Sequence, residues 1–179
     1  MTLRERFRDQ IAPELRQEFG LGNLMAVPTI LKVTVSVGLS SQQKDTKMLE
    51  TAEGVLARIT GQKPIQTLAK KSISNFKIRK GQVVGLKVTL RGNRMWDFIQ
   101  RLVGVTFARV RDFRGIPPSA VDNTGNLSYG FEEHLAFPEI RSDEVERLHG
   151  VQVTITTNAG THERGLVLLR AFGFPFRKS

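Results

Sequence analysis

The stretch that decides the fold is residues 54–96, GVLARITGQKPIQTLAKKSISNFKIRKGQVVGLKVTLRGNRMW. It holds ten Lys and Arg residues and no Asp or Glu, in a chain of 27 basic and 17 acidic residues. The rest of the chain is therefore balanced, and this stretch accounts for the net charge of +10. Such a charge indicates a polyanionic partner, most commonly nucleic acid, and a solvated charged loop is the alternative. The lack of interleaved acidic residues favours the polyanion.

The densest part of the stretch is a basic hairpin loop at about residues 70–82, and strand patterns flank it on both sides. Ile65 to Ala69 predicts a short strand before the loop. Val83 to Arg91 alternates apolar and polar residues after it, as a half-buried strand does. The loop is therefore predicted to be the tip of a long hairpin that a sheet holds at both ends.

Upstream of this hairpin, Ile30 to Gly38 predicts another half-buried strand, because its apolar and polar residues alternate. A strand of this kind buries one face and leaves the other for a partner. The predicted buried side consists of Leu31, Val33, Val35 and Val37, and the predicted open side consists of Lys32, Thr34 and Ser36.

Apolar spacing predicts a helix on either side of the hairpin. The first covers Met48 to Ile59, and the second begins after Asn93 as its N-cap. A further strand is predicted at Arg109 to Phe113. The resulting order, βαββαβ, is typical of the ferredoxin-like α+β fold, an antiparallel sheet with both helices on one face. The other face is then an open polar platform that suits folded RNA.

The remaining segments complete one predicted domain over residues 1–179. Thr2 and Glu5 predict a capping box for an N-terminal helix that Pro13 should kink and Gly20 should end. A surface loop is predicted at 114–126, and a helical turn at 142–148. Two further strands, at 127–131 and 151–157, precede a last helix with Thr161 as its N-cap.

Several functional classes are not supported by the residues. The chain has no cysteine, so it lacks disulfides and thiolate chemistry, and no run approaches membrane-spanning length. His134, His149 and His162 are scattered without ligand spacing, so no metal site and no cofactor are predicted. No acid–base constellation indicates an enzyme. These features predict a non-enzymatic protein that works in the cytoplasm and has no membrane partner.

Four ordered motifs and the chain end resemble the bacterial ribosomal protein L5 family, which binds 5S rRNA in the large subunit. The likeness covers nearly the full length. The matching segments are Lys70–Gly81 (KKSISNFKIRKG), Lys87–Gly92 (KVTLRG), Arg109–Gly115 (RVRDFRG), Phe137–Ile140 (FPEI) and Gly173–Lys178 (GFPFRK).

The resemblance implies a place in the central protuberance, between 5S rRNA and the large-subunit rRNA, where the open face of the sheet binds 5S rRNA. In the family, positions matching Ser36, Gln62 and Thr89 lie at the 5S rRNA. Together with the polar sheet face and the base of the basic loop, the predicted rRNA-binding set is Lys32, Thr34, Ser36, Gln62, Lys63, Gln66, Lys70, Lys71, Ser72, Lys87, Thr89 and Arg91.

The resemblance also implies two contacts beyond the rRNA, in addition to those with neighbouring large-subunit proteins. The hairpin tip is expected to meet the elbow of P-site tRNA through Ser74, Asn75, Phe76, Lys77, Ile78, Arg79, Lys80 and Gly81. An intersubunit bridge to a small-subunit head protein is expected at Arg109, Arg111, Asp112, Phe113, Arg114 and Gly115, with the loop at about 114–126 beside it.

This sequence departs from the family pattern at several positions. Ser36 stands where the family usually has Asn, and Ala108 stands where it usually has Pro. The segment Val121–Leu127 lacks an arginine and two aromatic residues that are usual there. Two other functions stay open: a free RNA-binding regulator on the same fold, and an RNA-processing enzyme, against which the missing acid–base and metal constellations argue.

Overall fold

In the computed structural model, which describes residues 2–39, 46–141 and 148–177, the described chain forms one five-stranded sheet and six α-helical segments. The strands are β1 (Ile30–Gly38), β2 (Ile65–Leu68), β3 (Val83–Leu90), β4 (Leu127–Phe131) and β5 (Val151–Thr157). The helices are α1 (Leu3–Arg6), α2 (Ala12–Glu18), α3 (Thr46–Thr60), α4 (Gly92–Arg101), α5 (Phe107–Arg109) and α6 (His162–Ala171). Short π-helical or 3-10 segments lie at Phe7–Ile11, Leu24–Ala26, Leu102–Thr106, Pro118–Ala120 and His134–Ala136.

The sheet has the strand order β2-β3-β1-β5-β4, and β2 pairs antiparallel with β3. The end of β1 lies beside the start of β3, since the Leu39 N–H donates to the Val84 carbonyl at 2.9 Å. The end of β5 lies beside the start of β1, since the Asn158 N–H donates to the Thr29 carbonyl at 3.2 Å. The antiparallel, ferredoxin-like α+β prediction is therefore confirmed, with β4 as an added edge strand.

The predicted strand at Arg109–Phe113 is wrong. Helix α4 instead continues through the π-helical segment into α5, which ends at Arg109. The buried side chains of Leu102, Thr106 and Phe107 extend the apolar face of the helix as far as α5, and residues 110–115 then form a turn and not a strand. The place beside β1 that this strand would have taken belongs to β5.

The N-terminal helical stretch confirms the predicted capping box. The Glu5 N–H donates to Thr2 Oγ1 at 3.3 Å, and the Thr2 N–H donates to Glu5 Oε2 at 2.8 Å. The helix widens into its π-helical segment at Phe7–Ile11, directly before Pro13. A proline there lacks an N–H and crowds the preceding turn, and the wider turn accommodates both effects.

The two predicted hairpin-flanking helices are present as α3 and α4, but one cap differs. The N-cap of α4 is Arg91, and Asn93 lies inside the first turn of the helix. The Asn93 side-chain oxygen accepts a hydrogen bond from Arg4 Nη1 at 2.9 Å instead of capping the helix. The buried face of α4 is as predicted, with Met95, Phe98 and Ile99 at 3% exposure or less.

Burial alternates along the central strands as the sequence predicts, with one exception. Val33, Val35 and Val37 on β1 are buried, and the residues between them are half-buried. At the start of β1, however, the core takes Ile30 and leaves Leu31 50% exposed, so the prediction for Leu31 is wrong. One face of the sheet is thus covered, and the other is partly open.

The chain packs as two compact units, each made of separate segments. The first consists of Met1–Val33, Leu90–Tyr129 and Thr154–Ser179, and the second of Thr34–Thr89 and Gly130–Val153. The prediction of a single domain over residues 1–179 stays a prediction, and the predicted turn at 142–148 lies largely outside the described residues. In the described part of the chain, no helix has the length and apolar character needed to cross a membrane.

Two glycines fix how α6 meets the loop before β4. An ideal Cβ built on Gly165 would lie 2.4 Å from Gly125 Cα and 2.7 Å from the Gly125 carbonyl oxygen. Both distances are far below contact, and both involve backbone atoms that a side-chain rotation cannot move away. Only glycine at position 165 therefore permits this approach.

We expect Gly165→Ala to destabilise the protein by roughly 1–3 kcal/mol, because overpacking against backbone outweighs the gain in helix propensity. Gly54→Ala is the matched control, since Gly54 also lies within a helix but has open space around its ideal Cβ. The control should stabilise the protein by up to about 1 kcal/mol. Urea unfolding of both variants measures these changes, and a Gly165→Ala protein as stable as the unmodified one would contradict the packing described.

Candidate nucleic-acid interface

The open face of the central strands gathers the polar side chains that the sequence predicts for it. Thr34 and Ser36 on β1 are half-buried, Lys87 on β3 is exposed, and Thr89 on β3 is half-buried. Each lies between buried apolar neighbours, so the side chains project from the side of the sheet opposite the core. Lys32 on β1 is half-buried, but it follows the exposed Leu31, so the alternation does not extend to it; Arg91, just after β3, is exposed.

Gln62 is held beside Thr89 by a small hydrogen-bond network at the end of α3. Its Nε2 donates to the Thr89 carbonyl at 3.4 Å, and its N–H donates to Thr60 Oγ1 at 3.3 Å. The buried Thr60 hydroxyl in turn donates to the Leu56 carbonyl at 2.6 Å. The structure therefore brings together two residues that are distant in sequence and are both predicted to bind rRNA. Lys63 follows them and is exposed.

The register of β2 separates Gln66 from this face. Ile65 pairs with Lys87, and Gln66 pairs with Leu86, which is 1% exposed. Directly opposed residues in an antiparallel pair share a face, so Ile65 lies on the open side and Gln66 lies on the other. The polar-face argument thus does not extend to Gln66, and the 64% exposed Ile65 takes its place. The sequence pattern of this short edge strand does not reveal its register.

Gly85 allows β3 to pack closely against β1 and β2. An ideal Cβ at this position would lie 2.6 Å from the Val37 carbonyl oxygen and 3.1 Å from Thr67 Oγ1. Gly85 pairs with Thr67, so it belongs to the same face as Lys87. A side chain here would push the strands apart, and glycine lets them pack closely.

The basic loop, Ala69 to Gln82, is closed at its base and again at its tip. At the base, the Ala69 N–H donates to the Gln82 carbonyl at 2.8 Å and the Gly81 N–H donates to the Ala69 carbonyl at 2.9 Å. Near the tip, Ile73 and Ile78 exchange two backbone hydrogen bonds of 2.9 and 3.1 Å. The loop therefore contains a small hairpin of its own.

Nearly all of the predicted contact residues in this loop are exposed. Ile78 is the exception and is half-buried, and the Ser72 hydroxyl accepts a hydrogen bond from the Lys80 N–H at 2.9 Å. The exposed residues are Lys70, Lys71, Ser72, Ser74, Asn75, Phe76, Lys77, Arg79, Lys80 and Gly81. The loop thus presents five cations on a backbone that its own hydrogen bonds shape.

The predicted bridge segment is a turn fixed by aromatic packing. Phe113 stacks on Phe107 with ring centroids 5.3 Å apart and meets Tyr129 edge to face at 6.4 Å. Asp112 has a φ of +52°, and Gly115 has a φ of +95° with the Arg177 backbone within 3 Å of its ideal Cβ. These constraints leave the basic side chains of Arg109, Arg111 and Arg114 exposed around one carboxylate.

The loop that follows ends in a turn built on Asp122. Its carboxylate accepts hydrogen bonds from the backbone N–H groups of Thr124 and Asn126 and from both of their side chains, at 2.8 to 2.9 Å. Burial would raise the pKa of Asp122, but these hydrogen bonds outweigh it and lower the pKa to about 2. Asn126 Oδ1 accepts from the Thr157 N–H at 2.9 Å, which ties the turn to β5.

Sequence reasoning missed the polar residues of β5. Gln152 is exposed, and Thr154 and Thr156 are half-buried, in alternation with buried apolar residues. β5 is the second neighbour of β1 in the strand order, so these polar residues belong to the same sheet. The alternation itself is visible in the sequence, but it gains this meaning only from the strand order.

Two of the three histidines are not scattered, contrary to the sequence analysis. His134 and His149 stack with ring centroids 4.1 Å apart, at 0% and 6% exposure. Burial, and then the neighbouring His134, lower the pKa of His149. The residues that the structure describes contain no group of three or more His, Cys, Asp or Glu able to hold a metal ion.

Comparison with known proteins agrees with this architecture. Residues 83–176 match the model of the C-terminus of the ribosomal L5 family, and residues 23–79 match that of ribosomal protein L5. The chain belongs to the ribosomal protein L5 family. This is a family of ribosomal proteins and not of enzymes, so the family and the non-enzymatic role predicted from the motifs are confirmed.

Relatives in this family are similar along almost their whole length. A protein of Idiomarina loihiensis, "Large ribosomal subunit protein uL5", is 48% identical over 176 residues, which cover 98% of this chain and 98% of the relative. A protein of the same description from Colwellia psychrerythraea is 47% identical over 176 residues, which cover 98% of this chain and 97% of the relative. The L5 family likeness thus extends to both the open face and the basic loop.

We expect Asp122→Asn to remove part of the acid sensitivity of folding. A lowered pKa stabilises the folded state above the unfolded value of about 3.9, and this contribution is lost as the pH falls towards about 2. The variant keeps the shape of the side chain but not its charge. Urea unfolding between pH 5 and pH 2 should therefore show lower stability at about pH 5 and a flatter acid limb. An acid limb identical to that of the unmodified protein would contradict this role of the carboxylate.

Proposed function

We propose that this chain is a structural component of the large ribosomal subunit that binds 5S rRNA through the open face of its sheet. The observation that carries the proposal is the polar platform formed by Thr34, Ser36, Lys87 and Thr89, with Gln62 hydrogen-bonded beside Thr89. Membership of the L5 family and the names of its relatives support the ribosomal setting. Binding through a preformed platform recognises the shape of a folded RNA rather than the sequence of its bases.

The chemistry of the platform suits contacts with RNA backbone. Threonine and serine hydroxyls can donate to phosphate oxygens or exchange hydrogen bonds with 2′-hydroxyl groups, and lysine adds a point charge. Large-subunit rRNA meets the same protein around the base of the basic loop, where Lys63, Lys70 and Lys71 are exposed.

The tip of the basic loop serves a different partner, P-site tRNA. The tip stands beyond the ends of β2 and β3, so it extends past the RNA that lies on the sheet. Its cations meet the phosphates of the tRNA elbow, and the internal hairpin at Ile73 and Ile78 holds them in place.

The turn at Arg109–Gly115 contacts a protein in the head of the small subunit. Support comes from three exposed arginines, Arg109, Arg111 and Arg114, on a turn that Phe113 and Gly115 anchor to the rest of the chain. An anchored turn can bear a contact between subunits, since little order has to be gained on binding.

Replacing Thr89 by Glu should weaken binding to isolated 5S rRNA by at least about tenfold, equal to about 1.4 kcal/mol. The substitution removes a hydroxyl and places a negative charge against phosphate. Thr51→Glu is the matched control, since Thr51 is an exposed threonine on α3 away from the platform. Filter binding at one salt concentration measures both variants. Equal losses, with native circular dichroism in each case, would show that the RNA does not lie on this face.

Replacing residues Ser72–Lys80 by a short Gly-Ser linker should separate the platform from the tip. The pairing of Ala69 with Gln82 closes the base and is retained, so the fold and 5S rRNA binding should stay within about threefold of the unmodified protein. The variant loses three cations. Ribosomes that carry it should release P-site tRNA faster, with a log–log salt slope shallower by roughly 2 to 3, at about 0.7–0.9 per phosphate contact. Loss of 5S rRNA binding with normal tRNA retention would mean that the loop, and not the sheet face, binds 5S rRNA, and that the tip does not hold P-site tRNA.

A further inference from the structure

Phe76 is the one exposed aromatic side chain of this protein. The chain has eleven Phe, one Trp and one Tyr, and all thirteen lie within the described residues. Twelve of them are buried or half-buried, whereas Phe76 is 63% exposed. Large apolar side chains in a basic loop gain nothing from water, so this exposure indicates a surface that a partner covers.

The backbone of the tip holds Phe76 at its apex. The Lys77 N–H donates to the Ser74 carbonyl at 2.9 Å, and Lys77 has a φ of +51°. Directly below this turn, the two hydrogen bonds between Ile73 and Ile78 close the strands. Phe76 therefore sits in a turn that is already formed without a partner, and little entropy is lost when the turn binds.

The surroundings of the ring identify the kind of partner that fits it. Lys77, Arg79 and Lys80 follow it in sequence, and no Asp or Glu occurs between Gly54 and Trp96. An apolar protein groove could bind the ring, but it would offer no counter-charge to these cations. RNA offers a phosphate for each cation and a flat base for the ring. An aromatic ring beside cations is the combination that single-stranded and looped RNA meets in many binding proteins.

We propose that Phe76 stacks on an unpaired base or a terminal base pair of the tRNA that the tip meets, while the neighbouring cations bind its phosphates. This inference rests on the proposed contact between the tip and P-site tRNA, and it adds a contact that does not depend on charge. Stacking and phosphate binding respond differently to salt, because only phosphate contacts release counterions.

The test uses ribosomes that carry the full-length protein as Phe76→Leu, Phe76→Trp or Lys80→Gln. Dissociation of P-site tRNA is measured over a range of salt concentrations. Phe76→Leu keeps an apolar side chain but loses the ring, so tRNA retention should fall about five- to tenfold at every salt concentration, with an unchanged slope. Phe76→Trp should retain tRNA as well as the unmodified protein does. Lys80→Gln should make the slope shallower by about 0.7–0.9.

The other outcomes separate failure of the stacking contact from failure of the proposed function. If Phe76→Leu retains tRNA normally while Lys80→Gln changes the slope, stacking is wrong and the tip still meets tRNA. If neither variant changes retention, the tip does not meet tRNA at all. A changed slope in Phe76→Leu would mean that the ring only positions the cations, and weaker binding of isolated 5S rRNA would mean that it supports the fold. Each of these results would overturn the stacking contact.

Discussion

The pairing of β3 with β1 is the constraint on which both the core and the candidate RNA surface depend. Side chains on these strands alternate between the covered and the open face, so a slip of one residue would exchange Val88 and Thr89. Two contacts join the strands at this end: the close approach of Gly85 to the Val37 carbonyl, and the hydrogen bond from the Leu39 N–H to the Val84 carbonyl. The hydroxyls of the platform therefore stay in place because the valines and leucines behind them are packed.

Much of this architecture was predictable because it follows from local periodicity. The spacing of apolar residues located α3, α4 and all five strands of the sheet, and the charge count located the basic loop. What the sequence did not reveal depends on contacts between distant residues. Arg109–Phe113 has a strand-like pattern, but the helix reaches Arg109, and the stacking of Phe113 on Phe107 then shapes a turn. The positions of Gln66 and of the stacked pair His134 and His149 follow from register and tertiary packing, which no short window of sequence contains.

The residues of the candidate site also divide into those that the sequence predicts and those that only the fold reveals. The residues of the platform on β1 and β3 were predictable because strand alternation places them, whereas the place of β5 beside β1 required the strand order. The basic loop was visible as charge, but its internal hairpin and the exposure of Phe76 are properties of the folded backbone. Charge attracts an RNA from a distance, and it is the shaped surfaces that decide how the RNA is then held.

The strand order also has a consequence for how the chain is made. β1 emerges early from the ribosome that synthesises it, yet one of its two neighbours in the sheet is β5, near the C-terminus. One edge of a valine-rich strand thus stays unpaired in the nascent chain until residues 151–157 have been translated. Open strand edges are where chains pair with one another and aggregate. The interval before β5 pairs with β1 is therefore the time at which the nascent chain is most open to pairing with other chains.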